Sequence, residues 1–369
     1  MSLMFPPIPY LEWIEGRPEE ATYDLGSSDL RQDEPTDDVV PPALVGLAPP
    51  EGDVTLRTQL AACYDVGESN VLVTAGATHA NFLAAAAAID LAGGADLDAA
   101  AGPQLLVEKP GYQPLVATPE ALGARVDRFF RPAEGDYPLV PERVANAADD
   151  VALVSVTNRH NPSGRLSSRE TLAELARVVA DDGGYLLVDE VYGPYVETVD
   201  DGPFGGVTAA GLPNTVVTNS LTKFHGLGGL QVGWLVGPER FVERARKVMQ
   251  HVPAVAEPSV ALARRALHHE EQLTMDARAL LRTNHGQLAS FVEGRGDLAG
   301  PLFDGSTFGC FAHETADGDA VATAAWDRGV LVVPGRFFGQ PDAFRLSLGR
   351  SPDEVEAGLS VLGDVLDSL

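Results

Sequence analysis

Basic residues are scarce in this chain, and lysine is nearly missing. Of 369 residues, 26 are Lys or Arg against 53 Asp or Glu, a formal net charge of −27 at pH 7. So acidic a composition builds no basic surface to neutralise phosphates, which excludes a nucleic-acid partner. The lysines are Lys109, Lys223 and Lys247; every other basic residue is Arg. An acidic, lysine-poor surface is expected of a protein that works in concentrated salt, where salt screens the self-repulsion. Its urea denaturation midpoint is therefore expected to rise between about 0.1 M and about 2 M KCl. A midpoint that ignores salt would contradict this reading.

Cysteine is sparse as well. Cys63 and Cys310 lie far apart and form no CxxC, so neither a disulfide framework nor a zinc site is indicated. Both read as small buried apolar residues, and no metal is expected. Long apolar runs are lacking too. Phe82 to Ile89 is the best candidate and Asp90 ends it, far short of a membrane span. No positive charge precedes Arg17, and Pro6, Pro7 and Pro9 interrupt the N-terminus, so no secretory signal is read. A cytoplasmic protein without a membrane partner is expected, in a high-salt cytoplasm.

What the chain does have is alternation. The first fifty residues read as an irregular, Pro-rich arm. A helical pattern follows over about 52 to 64, through Leu56, Leu60 and Ala61. Short apolar runs then alternate with helical segments: Val71–Thr74, Leu105–Glu108, Val126–Phe130, Val151–Val156, Tyr185–Val188 and Thr215–Thr218. VALVSV (151–156) is apolar on both faces, as a buried parallel strand is. Ser167 and Glu170 have capping-box spacing, and Leu172, Leu175, Ala176 and Val179 recur at helical spacing until Gly183-Gly184. The pattern predicts an α/β fold, a mostly parallel sheet covered by helices on both faces. After about 238 helices dominate, and the last is announced by Ser351, Pro352 and Glu354. The expected division is a large domain over 50–250 and a smaller α+β domain from 1–49 and 251–369. Gly93 to Gly102 reads as an acidic surface insertion.

Ligands gather at the carboxyl ends of the strands of such a sheet. After Val71–Thr74 comes Ala75-Gly76-Ala77-Thr78, small residues opening a helix, which suits a phosphate. Alone, this is equally a plain N-cap at Thr78. After Val151–Val156 comes a turn containing Asn161-Pro162, and after Tyr185–Val188 comes Asp189-Glu190-Val191-Tyr192. After Thr215–Thr218, Lys223 stands in a loop rich in glycine and hydroxyls. Lysine forms a Schiff base with a carbonyl cofactor. Together the strand ends supply what pyridoxal phosphate needs: an amine for the aldehyde, a carboxylate for the ring nitrogen, donors for the ring oxygen and a phosphate cradle.

The motifs GAT (76–78), EKPGY (108–112), NPSG (161–164), DEVY (189–192), SLTKFHGLGGLQVGW (220–234) and FRLS (344–347) fall in one order over about 270 residues. In this the chain resembles the class I/II aminotransferases, the fold-type-I enzymes that use pyridoxal 5'-phosphate. The string around Lys223 is close to the branch of histidinol-phosphate aminotransferases and threonine-phosphate decarboxylases. The resemblance implies that Lys223 carries the cofactor as a Schiff base and then moves the proton at the substrate α-carbon. It implies that Asp189 pairs with the ring nitrogen, that Asn161 and Tyr192 bind the ring oxygen, and that Tyr112 stacks on the ring. Gly76, Ala77, Thr78 and Ser220 would hold the phosphate, and Arg345 the substrate carboxylate. A homodimer, with a site between domains and at the subunit interface, is implied as well.

Two departures stand out. Eight residues after the lysine the family has a phosphate-binding Arg; here it is Gln231. Residues 47–52 read LAPPEG, without the Tyr that many relatives send to the partner's phosphate. Both imply a weaker phosphate site, or one completed by other groups. His160 and His225 read as loop histidines, and Arg336 as a surface residue or a reach toward a substrate side chain. The side-chain pocket is expected to draw on the arm, including Ser27 to Leu30. An aminotransferase using amino acid and 2-oxo acid is the first expectation. Decarboxylation, elimination or cyclisation on the same cofactor is the second. A ligand sensor lacks a DNA-binding domain, and a nicotinamide enzyme would lack its third glycine at Gln231.

Overall fold

The computed structural model describes residues 5–31, 38–93, 102–252 and 255–369. Most of the predicted acidic insertion, 94–101, lies outside the described residues.

A seven-stranded sheet forms the centre. Its strands run in the order Val71–Thr74, Gly233–Val236, Thr215–Ser220, Tyr185–Asp189, Val151–Thr157, Gln104–Lys109, Arg125–Phe130. All are parallel except Gly233–Val236, which pairs antiparallel on both sides. That strand is not in the sequence reading. Its four residues, GWLV, follow directly on a glycine-rich loop, with no α-helix before them to mark an alternation. Every residue of Val151–Thr157 is buried, as expected of a strand covered on both faces. Successive residues serve opposite cores. Leu106, Leu186 and Val217 join one cluster, while Leu105, Leu187 and Val216 join the other.

The helix Gly76–Leu91 buries Ala80, Leu83, Ala84, Ala87 and Ala88. These small side chains let it lie close to the sheet. The helix Arg169–Asp181 buries Leu172, Leu175, Ala176 and Val179, the residues expected from their spacing. Its cap is a correction: Ser168, not Ser167, accepts from the Thr171 N–H. Ser167 instead donates its backbone N–H to Asn158 Oδ1 at 2.9 Å, so its place is fixed by the neighbouring loop.

A smaller antiparallel sheet runs Val333–Pro334, Ala343–Ser347, Phe308–His313, Leu298–Ala299. Its core contains Phe311, Phe344, Leu346 and Leu359. The N-terminal arm is more ordered than its prolines suggest. Pro9 opens a helix, Pro9–Ile14, where a missing N–H costs nothing. A short helix, Arg17–Glu20, follows, and Tyr23–Asp24 pairs in parallel with Val330–Leu331. Buried Arg350 clamps this arm through Asp24 at 2.6 Å and Asp29 at 3.4 Å. Among the described residues no helix is long and apolar enough to cross a membrane.

Candidate active site

The parallel strands deliver their carboxyl ends to one edge of the sheet, and a cavity of about 220 Å³ opens there. Gly76, Ala77, Thr78, Tyr112, Asn161, Asp189, Tyr192, Ser220, Lys223, Gln231 and Arg345 all line it. The structure therefore brings together all eleven residues singled out from the sequence. They come from strand ends, a helix start and loops spread over some 270 positions. Tyr10, Ser28, Asn81, Thr157 and Thr222 line it too.

Each side chain is placed by an identifiable local device. Gly76 has φ +79° and opens its helix, and Ala75 makes no side-chain cap. Thr78 lies inside that helix, so the plain N-cap reading fails. The first-turn N–H groups face the cavity without a capping side chain. Gly233 is required next to them: a Cβ there would sit 2.5 Å from Gly76 C and 2.8 Å from Ala77 N. Gln231, at φ 50°, is exposed and donates Nε2 to Gly228 O at 3.2 Å.

The loop bearing Asn161 is shaped from inside. Buried Arg159 donates to Tyr195 O, Gly164 O and Asp304 O, and burial lowers its pKa to about 9. His160 is fully buried rather than loose in a loop. Its ring meets Ser163 Oγ at 2.6 Å and Pro110 O at 3.1 Å, and burial holds it neutral. His225 wedges between Phe204 and Phe224, where burial drops its pKa to about 4. Arg336 pairs with Asp319 and lies over the Phe337 ring. Of the cysteines, Cys310 is buried and Cys63 partly so.

Asp189 ends its strand 4% exposed. Its Oδ1 accepts from Val191 N–H at 3.2 Å and its Oδ2 from Asn81 Nδ2 at 2.8 Å. Burial pushes its carboxyl up, against these donors and Lys223. Burial also disfavours the Lys223 ammonium, but Tyr192, Asp29 and Tyr10 outweigh it and hold the pKa above the ordinary value. Tyr192 Oη meets Ser28 Oγ at 2.6 Å, so the arm reaches the site. Tyr10 packs edge-on against Tyr112 at 5.9 Å and donates its N–H to Gln113 Oε1.

Arg345, 1% exposed, enters from the smaller sheet. It donates Nη1 to Asn161 Oδ1 at 3.0 Å and Nη2 to Gly26 O at 2.8 Å. Both acceptors are neutral, and Nε is buried without a partner. Because Arg345 claims Oδ1 of Asn161, the Asn161 N–H₂ is left as a donor.

Sequence reading missed Asn81 and Tyr10. Asn81 had a signal, a polar residue on the inward side of an Ala-rich helix. Tyr10 had only its place in an arm whose docking depends on long-range contacts.

The family model for aminotransferase class I and II matches residues 41–362. Capreomycidine synthase of Streptomyces vinaceus is 29% identical, aligned over 98% of this chain and 94% of its own length. The histidinol-phosphate aminotransferase of Halobacterium salinarum is 29% identical over 85% of this chain and 81% of its own. A PLP-dependent aminotransferase structure from Streptococcus suis superposes with a TM-score of 0.84 at 21% identity, covering 99% of both chains. The fold is thus that of the fold-type-I pyridoxal-phosphate enzymes, and the chain belongs to the class I and II aminotransferase family, which implies pyridoxal 5'-phosphate as its cofactor.

Proposed function

We propose that this chain moves an amino group from an amino acid to a 2-oxo acid, with Lys223 as the covalent anchor and proton carrier. The observation that supports this is one cavity holding an amine, a buried carboxylate and a buried guanidinium without an acidic partner. A lysine amine and a guanidinium whose hydrogen-bond acceptors are neutral together fit an α-amino acid.

The residues present suit the cofactor. While ionised, Asp189 only accepts hydrogen bonds, as a partner for a protonated ring nitrogen must. Asn161 Nδ2 and Tyr192 Oη are donors for the ring oxygen, and Tyr112 offers a ring face. The uncapped helix start at Gly76–Thr78, with Ser220, suits the phosphate. Bound there, the cofactor supplies an aldehyde for the amino group and an electron-withdrawing ring. Arg345 orients the substrate through its carboxylate, a bidentate geometry that guanidinium favours. Lys223 Nζ, as the free amine, would take the proton from the substrate α-carbon and hold it as an ammonium. Tyr10 lines the cavity beside Tyr112.

The phosphate end lacks a cation, since among the described lining residues only Lys223 and Arg345 are basic. Gln231→Arg is expected to tighten cofactor binding about tenfold, measured by equilibrium dialysis, because a charge-assisted bond replaces a neutral one. Unchanged or weaker affinity would count against placing the phosphate at Gly76. The same inventory leaves this subunit no second cation for a side-chain carboxylate or phosphate. A homodimer and a high-salt setting belong to this reading; the Halobacterium relative supports the latter.

The similarity to capreomycidine synthase across 98% of the chain favours a second reading: decarboxylation, elimination or cyclisation by the same residues. The test is to incubate the cofactor-loaded protein with amino acids and a 2-oxo acid and identify products by mass spectrometry. Transamination gives equal amounts of a new 2-oxo acid and a new amino acid. A product formed without a matching amount of the new amino acid selects the second reading.

A further inference from the structure

Asn81 is out of character with its helix. Its neighbours toward the sheet are Ala80, Leu83, Ala84, Ala87 and Ala88. A polar amide in such company needs partners, since unpaired burial is unfavourable. It has two. Nδ2 donates to Asp189 Oδ2 at 2.8 Å, and Oδ1 accepts from Thr218 Oγ1 at 2.6 Å. The orientation is not arbitrary. An ionised carboxylate only accepts, so the NH₂ end must face Asp189, and the hydroxyl of Thr218 must donate to the carbonyl end. Thr218 and Asp189 are themselves cross-strand partners in register. Asn81 bridges them from the helix above, tying three elements at one point.

We infer that Asn81, oriented by Thr218, is a positioning residue that keeps the Asp189 carboxylate aimed and ionised for a protonated ring nitrogen. The inference rests on the reading of Asp189 given above. Both oxygens of Asp189 face donors: Oδ1 the Val191 N–H, Oδ2 the Asn81 amide. A proton on either oxygen would meet a donor head-on, so the arrangement favours the charged form. This opposes the burial that pushes the same carboxyl up. Without Asn81, one donor would remain.

The test is cofactor affinity, not turnover. Apoprotein is titrated with pyridoxal phosphate and with its analogue carrying carbon in place of the ring nitrogen. Asn81→Leu is expected to weaken pyridoxal phosphate about tenfold, as loss of a hydrogen bond to a charged group does, and to leave the analogue within about twofold. Thr218→Val, which frees the amide to rotate, is expected to weaken pyridoxal phosphate about threefold, and Thr218→Ser to restore it. Equal weakening of both ligands would reduce Asn81 to a structural role and overturn the inference, as would no weakening of either. Asp189→Asn separates the two levels. If it binds pyridoxal phosphate as tightly as the parent, the Asp189 reading falls and this inference with it. If Asp189→Asn weakens binding while Asn81→Leu does not, only the inference falls.

Discussion

Lys223→Ala is expected to lower turnover by about three to four orders of magnitude, the range a positioned proton-transfer group supplies. The protein should remain folded, because Lys223 lies in a cavity wall rather than in a packed core. Among the described residues lining the cavity, Arg345 is the only other basic side chain. The nearest alternative cation, Arg345, is committed to Asn161 and Gly26 and does not release its proton. Two further readouts separate loss of chemistry from loss of structure. After borohydride treatment the parent should carry cofactor mass on the peptide containing residue 223, and the variant none. Added small primary amines should restore part of the variant's proton transfer. A variant within about tenfold of the parent would remove Lys223 from the proton path.

Arg345→Leu should cost about a hundredfold or more in kcat/KM for amino acids, the scale of removing one partner of a buried charge pair. The loss should fall on substrate binding, since Arg345 makes no contact with Lys223 or Asp189 among its hydrogen bonds. Removing it also orphans Asn161 Oδ1, so some loss of cofactor affinity is expected, and that is the control. Amines lacking the carboxylate should bind variant and parent alike once cofactor is saturating. If they are weakened as much as the amino acids, the carboxylate assignment is wrong. Arg345→Lys should recover little, because an ammonium does not reproduce the planar fork.

Much of this site was legible in the sequence for a physical reason. Parallel strands buried on both faces announce themselves as continuous apolar runs, and the residues that follow them must gather at one edge. Lys223, Asp189, Asn161 and Gly76 were found that way. Arg345 stands on an antiparallel strand of the smaller sheet, where spacing says little, and only the FRLS string pointed to it. The strand Gly233–Val236 was missed because it follows directly on a glycine-rich loop, with no α-helix between it and Thr215–Ser220 to mark an alternation. Ser28 reaches the cavity beside the Arg350 clamp on Asp24 and Asp29, contacts more than 300 residues apart in sequence, and Tyr10 through Gln113, Tyr112, Phe337 and Phe338. The Asn81 amide was readable as an anomaly, but its partners, Asp189 and Thr218, appear only once the helix lies on the sheet.

Lys223 is placed to move a proton at the α-carbon of an amino acid seated on Arg345. The most direct measurement is proton NMR of amino acids incubated in D₂O and concentrated salt with the cofactor-loaded protein. At least one amino acid should exchange its α-proton for deuterium with the parent and not with Lys223→Ala. No exchange with any amino acid, in folded protein that holds its cofactor, would contradict it.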